Sequence, residues 1–83
     1  DFQRTVDAAE RLIGDRSISN TAKEVIINMV YQIGEGGVSK FKQMWKALDN
    51  QLYGEASFQM MDSLWARQTP NRAKKLAEKM RGA

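Results

Sequence analysis

The chain contains no cysteine and no histidine among its 83 residues. The lack of cysteine excludes disulfide bonds and thiolate metal ligands, and it leaves the redox compartment undetermined. The lack of histidine removes the commonest zinc ligand and the usual general base near neutral pH. Any catalysis by this chain alone would depend on carboxylates, and we expect neither a metal nor a cofactor.

Long apolar runs are also missing. The longest, Val25 to Val30, is interrupted by Asn28 and is too short to cross a bilayer, so no transmembrane helix is predicted. The first residues show no basic start followed by an apolar segment, so no signal peptide is predicted either. With 42% hydrophobic and 28% charged residues, the composition is typical of one small globular domain.

Charge is distributed unevenly along the chain. Residues 1–37 carry four basic and six acidic side chains, a net charge of −2, whereas residues 38–83 carry nine basic and four acidic ones, a net charge of +5. The second half therefore favours anionic partners, of which the bacterial cell wall and nucleic acid are the obvious classes, unless it is only a solvated basic face. Because no nucleic-acid-binding motif accompanies the basic residues, nucleic acid is an unlikely partner.

The hydrophobic periodicity predicts an all-α fold with five helices around a buried central helix, in a single domain covering residues 1–83. Only one proline is present and no linker-like segment divides the chain. The first helix has an apolar stripe, ended by the segment Gly14 to Ser17. The members of that stripe are Phe2, Val6, Ala9 and Ile13.

The central helix is predicted to begin at a capping box formed by Thr21 and Glu24. Apolar side chains from Val25 to Ile33 point in every direction, which predicts burial on all sides. Asn28 interrupts this apolar helix and is expected to bond to an adjoining loop or helix. The helix should end where glycines supply positive φ angles. These glycines are Gly34, Gly36 and Gly37.

Three amphipathic helices are predicted after the glycines. The apolar stripe of the third helix comprises Val38, Phe41, Met44 or Trp45, Leu48 and Leu52. That of the fourth comprises Phe58, Met61 and Trp65, with Met60 and Leu64 beside it. The fifth should begin with Thr69 as cap and Pro70 in the first position, and end with Lys79 and Arg81 near its negative pole. Its buried stripe comprises Ala73, Leu76, Ala77 and Met80.

Two long stretches resemble the C-terminal, helical lobe of phage T4-type lysozymes. One reads Ile27-Asn-Met-Val-Tyr-Gln-Ile-Gly-Glu-Gly-Gly-Val-Ser-Lys-Phe41, and the other reads Ser63-Leu-Trp-Ala-Arg-Gln-Thr-Pro-Asn-Arg-Ala-Lys74. The resemblance covers essentially the whole chain. It implies one wall of the substrate cleft of a muramidase, which hydrolyses the β-1,4 bond between N-acetylmuramic acid and N-acetylglucosamine in peptidoglycan.

The resemblance assigns binding roles to two residues. Gln32 matches a family position that faces the saccharide, although the amide could instead cap the helix end or remain solvated. Arg72 matches a cleft arginine that pairs across the lobes with the catalytic glutamate, although as a bare sequence feature it resembles a surface cation. Gln32 and Arg72 are therefore the candidate substrate-binding residues.

No catalytic residue is assigned. The family carries its catalytic carboxylates in the smaller N-terminal lobe, within a pattern reading Glu-Gly-x-Arg and then Tyr, Asp and Thr-Ile-Gly, and nothing in this chain matches it. Asp7, Glu10 and Glu35 are weak substitutes, and Glu35 matches a family glutamate that is not the catalytic acid. We therefore expect the chain to be inactive alone and to need an N-terminal catalytic lobe as its partner.

A structural role is the rival interpretation. The segments Gly36 to Phe41 and Ser63 to Trp65 are similar to the lysozyme domain of a phage tail baseplate, so the chain could be an inactive docking protein that binds another protein of the virion. The expected location is the virion, or the host cytoplasm before release to the periplasm and cell wall. The aromatic residues Tyr31, Trp45 and Trp65 are expected in the core rather than on a carbohydrate-stacking platform.

Overall fold

A computed structural model describes residues 2–83, which form six α-helices and contain no strand. The helices are α1 (Phe2–Ile13), α2 (Asn20–Ser39), α3 (Lys42–Asp49), α4 (Tyr53–Met61), α5 (Leu64–Gln68) and α6 (Pro70–Arg81). The predicted all-α fold is confirmed. The additional helix arises because the predicted fourth helix is divided in two at Asp62 and Ser63.

The first helix packs along the second through small side chains. Ala8, Ala9 and Ile13 are buried, whereas Phe2 is 65% exposed and does not join the stripe predicted for it. Gly14 ends the helix with a φ of +59°, a conformation that glycine adopts without the steric cost other residues incur.

The second helix is capped two residues before Thr21, the predicted cap. Ser19 is its cap, and the Ser19 hydroxyl accepts a hydrogen bond from the backbone N–H of Ala22 at 3.1 Å. The prediction that Thr21 caps this helix is therefore wrong, because the earlier serine already satisfies a free N–H of the first turn.

Burial of the second helix is extensive but one-sided. The core residues on it are Ala22, Val25, Ile26, Met29 and Val30. Asn28 is exposed and donates to the carbonyl of Glu24 in its own helix at 2.9 Å, and Tyr31 is 72% exposed. Burial on all sides was thus a wrong prediction, because α1 and α6 pack against α2 and leave its remaining face to solvent.

The glycine segment kinks α2 without ending it. Gly34 alone of the three glycines has a positive φ, +81°, and the helix resumes from Glu35 to Ser39. The prediction of three left-handed glycines is therefore wrong for Gly36 and Gly37. The resumed turn carries Val38 into the core, where it is fully buried.

The third and fourth helices bury fewer of the predicted apolar residues than expected. Met44, Trp45 and Leu48 are buried on α3, but Leu52 is 54% exposed. The helix α4 packs against α3 and α6, and its buried residues are Ala56, Ser57 and Met60. The wrongly predicted members are Phe58, Met61 and Leu64, which are 64%, 38% and 66% exposed.

The last helix follows its prediction closely. It begins at Pro70, ends with Lys79 and Arg81 in its last turn, and buries Ala73, Leu76, Ala77 and Met80. It packs most extensively against α4, where the buried Ser57 hydroxyl donates to the carbonyl of Ala77 at 2.7 Å. No helix within residues 2–83 combines the length and apolar character needed to cross a membrane.

Candidate functional site

Gln32 lies half-buried on α2, two residues before the kink at Gly34. Its Oε1 accepts a hydrogen bond from the indole N–H of Trp65 at 3.2 Å. The amide is therefore a link between α2 and α5 rather than a free solvated group. With Oε1 occupied, the Nε2 group remains able to donate.

Trp65 is held firmly enough to orient Gln32. Its residue surface is only 7% exposed, and its ring meets that of Phe41 edge to face, with centroids 6.1 Å apart and planes at 77°. The Ser63 hydroxyl caps the helix that carries Trp65, accepting from the N–H of Ala66 at 3.2 Å. Packing and capping together fix the donor that selects the orientation of the Gln32 amide.

The expectation that the aromatic residues belong to the core holds for both tryptophans. Trp45 is 7% exposed and its indole N–H donates to the carbonyl of Val38 at 3.1 Å. The expectation is wrong for Tyr31, which faces solvent at the open side of α2.

Arg72 is exposed in the first turn of α6. It makes no hydrogen bond or ion pair with the other residues of the range 2–83. The turn before it is tied to Trp65, because the backbone N–H and the hydroxyl of Thr69 both donate to the Trp65 carbonyl, at 2.9 and 3.0 Å. Thr69 therefore anchors the helix start and does not act as the side-chain cap that the sequence predicted.

These contacts connect Gln32 directly, and the start of the helix that carries Arg72 indirectly, to Trp65. Gln32 bonds the side chain of Trp65, and Thr69, three residues before Arg72, bonds the main chain of Trp65. Five concave surfaces of residues 2–83 are lined by other residues. Gln32 is half-buried and Arg72 is exposed, so part of each candidate is accessible to solvent.

Glu35, one of the candidate carboxylates, does not have the environment of a catalytic acid. Glu35 accepts two hydrogen bonds from the Arg11 guanidinium, at 2.8 and 3.2 Å, and this pairing lowers the pKa of the Glu35 carboxyl below its ordinary value. Asp7 accepts from the Gln3 side chain at 3.0 Å. Since a glycosidase acid needs a raised pKa, Glu35 is unsuited to that role.

Residues 2–83 contain no group of three or more acidic side chains placed to hold a metal ion. The tie between Trp65 and Gln32 is the feature that sequence reasoning missed. A buried tryptophan N–H needs an acceptor, so the burial predicted for Trp65 signalled that some partner exists. The acceptor is 33 positions away, and no local pattern identifies it.

Comparison with known proteins identifies the relationship. A Dictyostelium discoideum protein named "Probable T4-type lysozyme 1" is 38% identical over 61 residues, which cover 74% of this chain and 36% of that protein. This chain is therefore similar in sequence to a T4-type lysozyme over most of its length. A second protein of the same organism, "Probable T4-type lysozyme 2", is 33% identical over 60 residues, covering 72% of this chain and 35% of that relative.

The chain thus spans about a third of the length of these relatives. No protein-family model matches it. The resemblance to T4-type lysozymes that the two sequence stretches carry is therefore confirmed, while its assignment to the C-terminal lobe stays a prediction.

Proposed function

We propose that the chain is the helical lobe of a muramidase and forms one wall of a cleft that receives the glycan of peptidoglycan. The observation that carries this proposal is the identity of 38% over 61 residues to a protein named as a T4-type lysozyme. The part of the relatives that the chain spans fits a lobe rather than a complete enzyme.

In this proposal Gln32 recognises the saccharide by donating a hydrogen bond. Trp65 donates to Oε1 of the amide and so orients it, and the Nε2 group makes no hydrogen bond within residues 2–83 and can donate to a ligand. Sugar hydroxyls and acetamido carbonyls both accept hydrogen bonds. A held amide loses less conformational freedom on binding than a mobile one, which favours affinity.

Arg72 has a different proposed role. Its guanidinium offers two parallel donors that match a carboxylate, and no carboxylate of residues 2–83 pairs with it. The proposed partner is the catalytic glutamate of an N-terminal lobe facing this wall. Arg72 would orient that glutamate and would not itself transfer a proton.

The chain alone should not hydrolyse cell wall. Hydrolysis of a glycosidic bond needs one carboxylic acid held protonated and a second carboxylate at a defined separation. The ion pair with Arg11 lowers the pKa of the Glu35 carboxyl and so favours its ionised form. The proposed site of action is the peptidoglycan, reached from the host cytoplasm or from a virion, and no observation favours the purely structural role.

A binding experiment and an activity experiment test this proposal together. Binding of a peptidoglycan tetrasaccharide would be followed by NMR for the wild type, for Gln32→Ala and for the control Gln43→Ala on α3. We expect the Gln32 change to weaken binding about tenfold, the worth of one good hydrogen bond, and the Gln43 change to leave it within twofold. Loss of turbidity of bacterial walls is expected only when a T4-type catalytic lobe is added.

Two results would refute the proposal. Saturable binding with the same affinity in all three proteins would show that Gln32 does not contact the saccharide. Lysis by the chain alone that disappears in Glu35→Gln would show that a local carboxylate does the chemistry.

A further inference from the structure

A concave surface lies between the end of α1 and α3, and neither Gln32 nor Arg72 lines it. We call it the α1–α3 cleft. Its volume is about 340 Å³, at the small end of the range typical of ligand sites. Its polar and aromatic lining residues are Arg16, Ser39, Lys42, Trp45, Lys46 and Asp49.

The guanidinium of Arg16 is fixed within this cleft. Nε donates to the carboxylate of Asp49, and Nη1 donates to the carbonyl of Leu12 at 2.7 Å. The Arg16 Cζ atom lies 4.7 Å from the centroid of the Trp45 ring, a cation–π contact. Trp45 is itself held by its hydrogen bond to the Val38 carbonyl, so the ring that Arg16 contacts has a fixed position.

Part of Arg16 is still available to a ligand. Its side chain retains 30% of its accessible surface. The Nη2 group makes no hydrogen bond within residues 2–83, although a guanidinium can donate five. The arginine is therefore prearranged by the protein and has donors left over.

Two lysines complete the cationic lining. Lys42 and Lys46 are exposed, stand four residues apart on α3, and have no acidic partner within residues 2–83. Like charges at this spacing repel and weaken a helix. Lys42 also occupies the first position of α3, where the positive end of the helix dipole disfavours a cation. Both arrangements reduce the stability of the free chain, and a bound anion would relieve both.

The charge balance of the cleft indicates the ligand class. Three cations face one carboxylate, which is already bonded to Arg16, so the lining has a net charge of +2. We propose that the α1–α3 cleft binds a phosphate group, either free or carried by a small polyol or sugar. A guanidinium and two ammonium groups match the several oxygens of a phosphate.

A small phosphorylated ligand fits this cleft better than a nucleic acid does. Single-stranded nucleic acid is typically held by bases stacking on exposed aromatic rings. Trp45 is only 7% exposed and Arg16 lies over its ring, so no free ring face is offered. The cleft has a volume of only about 340 Å³, and a nucleic-acid strand needs a continuous basic groove.

NMR titrations at constant ionic strength test this inference. The probes are inorganic phosphate, glycerol 3-phosphate and a ten-nucleotide DNA, each added to the whole chain. We expect saturable shifts of the Trp45 indole N–H and of the α3 amides with both phosphates. Tighter binding of glycerol 3-phosphate would show that the polyol is also recognised, and equal binding that the phosphate alone is.

Two matched double variants distinguish binding in the α1–α3 cleft from non-specific attraction of anions to a basic protein. Lys42→Gln with Lys46→Gln should weaken phosphate binding at least tenfold. Lys74→Gln with Lys75→Gln, two exposed lysines of α6, makes the same change in net charge and should leave binding within twofold. Circular dichroism would verify that both variants fold.

Equal weakening by the two pairs, or no saturable shift, would overturn the inference. So would tighter binding of the DNA than of either phosphate compound with shifts spread over α6. This site is independent of the saccharide wall, so the muramidase proposal stands or fails separately.

Discussion

The indole N–H of Trp65 reaches across from α5 to Oε1 of Gln32 on α2, at 3.2 Å. This bond pairs a buried donor with a half-buried acceptor. Removing the acceptor would leave the indole N–H unsatisfied, whereas changing the amide to a carboxylate would keep an acceptor in place. Two nearly isosteric variants of Gln32 are therefore expected to differ in stability.

Gln32→Met should lower the free energy of unfolding by about 1–2 kcal/mol, because the buried Trp65 N–H loses its partner. Gln32→Glu should stay within about 0.5 kcal/mol of the wild type, in the range of an ordinary surface substitution. Urea denaturation followed by tryptophan fluorescence measures both. Equal stability of the two variants would mean that the bond contributes nothing.

Gly34→Ala should destabilise the chain by about 1 kcal/mol, since Gly34 has a φ of +81° that alanine adopts only with strain. Gly36 has helical backbone and open space around its Cα. Gly36→Ala should therefore stabilise by about 0.5–1 kcal/mol through helix propensity. Thermal denaturation of the two proteins would test this. A loss of stability in both variants would indicate that Gly36 also has a positive φ angle, as the sequence predicted.

Ser19→Ala should reduce the free energy of unfolding by about 1 kcal/mol, because the Ser19 hydroxyl caps α2. Thr21→Ala is the matched control, since Thr21 is exposed in the first turn and does not cap. That change should remain within about 0.5 kcal/mol of the wild type. A larger loss of stability from Thr21→Ala than from Ser19→Ala would support the capping box that the sequence predicted.

Glu35→Gln should make the chain less sensitive to acid. Arg11 lowers the pKa of Glu35 in the folded state, so the stability contributed by this pair is present above the ordinary glutamate pKa. It is lost as the pH falls through the lowered folded-state value. Because both side chains are exposed, the effect should be modest and weakened by salt.

Urea midpoints measured across the acidic range would show this as a shallower fall for Glu35→Gln than for the wild type. Glu55→Gln on α4 is the control and should follow the wild-type curve. Parallel curves for all three proteins would argue against the ion pair in solution.

Local patterns predicted the start and the buried stripe of α6, since proline and regular spacing act within one helix. They failed for Phe58, because the face of α4 that is buried depends on its packing against α3 and α6. They failed for Leu64, because the break after Met61 separates it from α4. The same limit applies to the site. The resemblance drew attention to Gln32, but its contact with Trp65 arises only when α5 packs on α2.

The shared carbonyl of Trp65 has a mechanical consequence. Because Thr69 binds it through both the main chain and the hydroxyl, the short break between α5 and α6 has little freedom to bend. The side chains of α5 and α6 should therefore move together as one rigid unit. A ligand that binds there would meet a surface that is already ordered before binding. A movement that closes over the ligand would have to come from the element that faces α5 and α6.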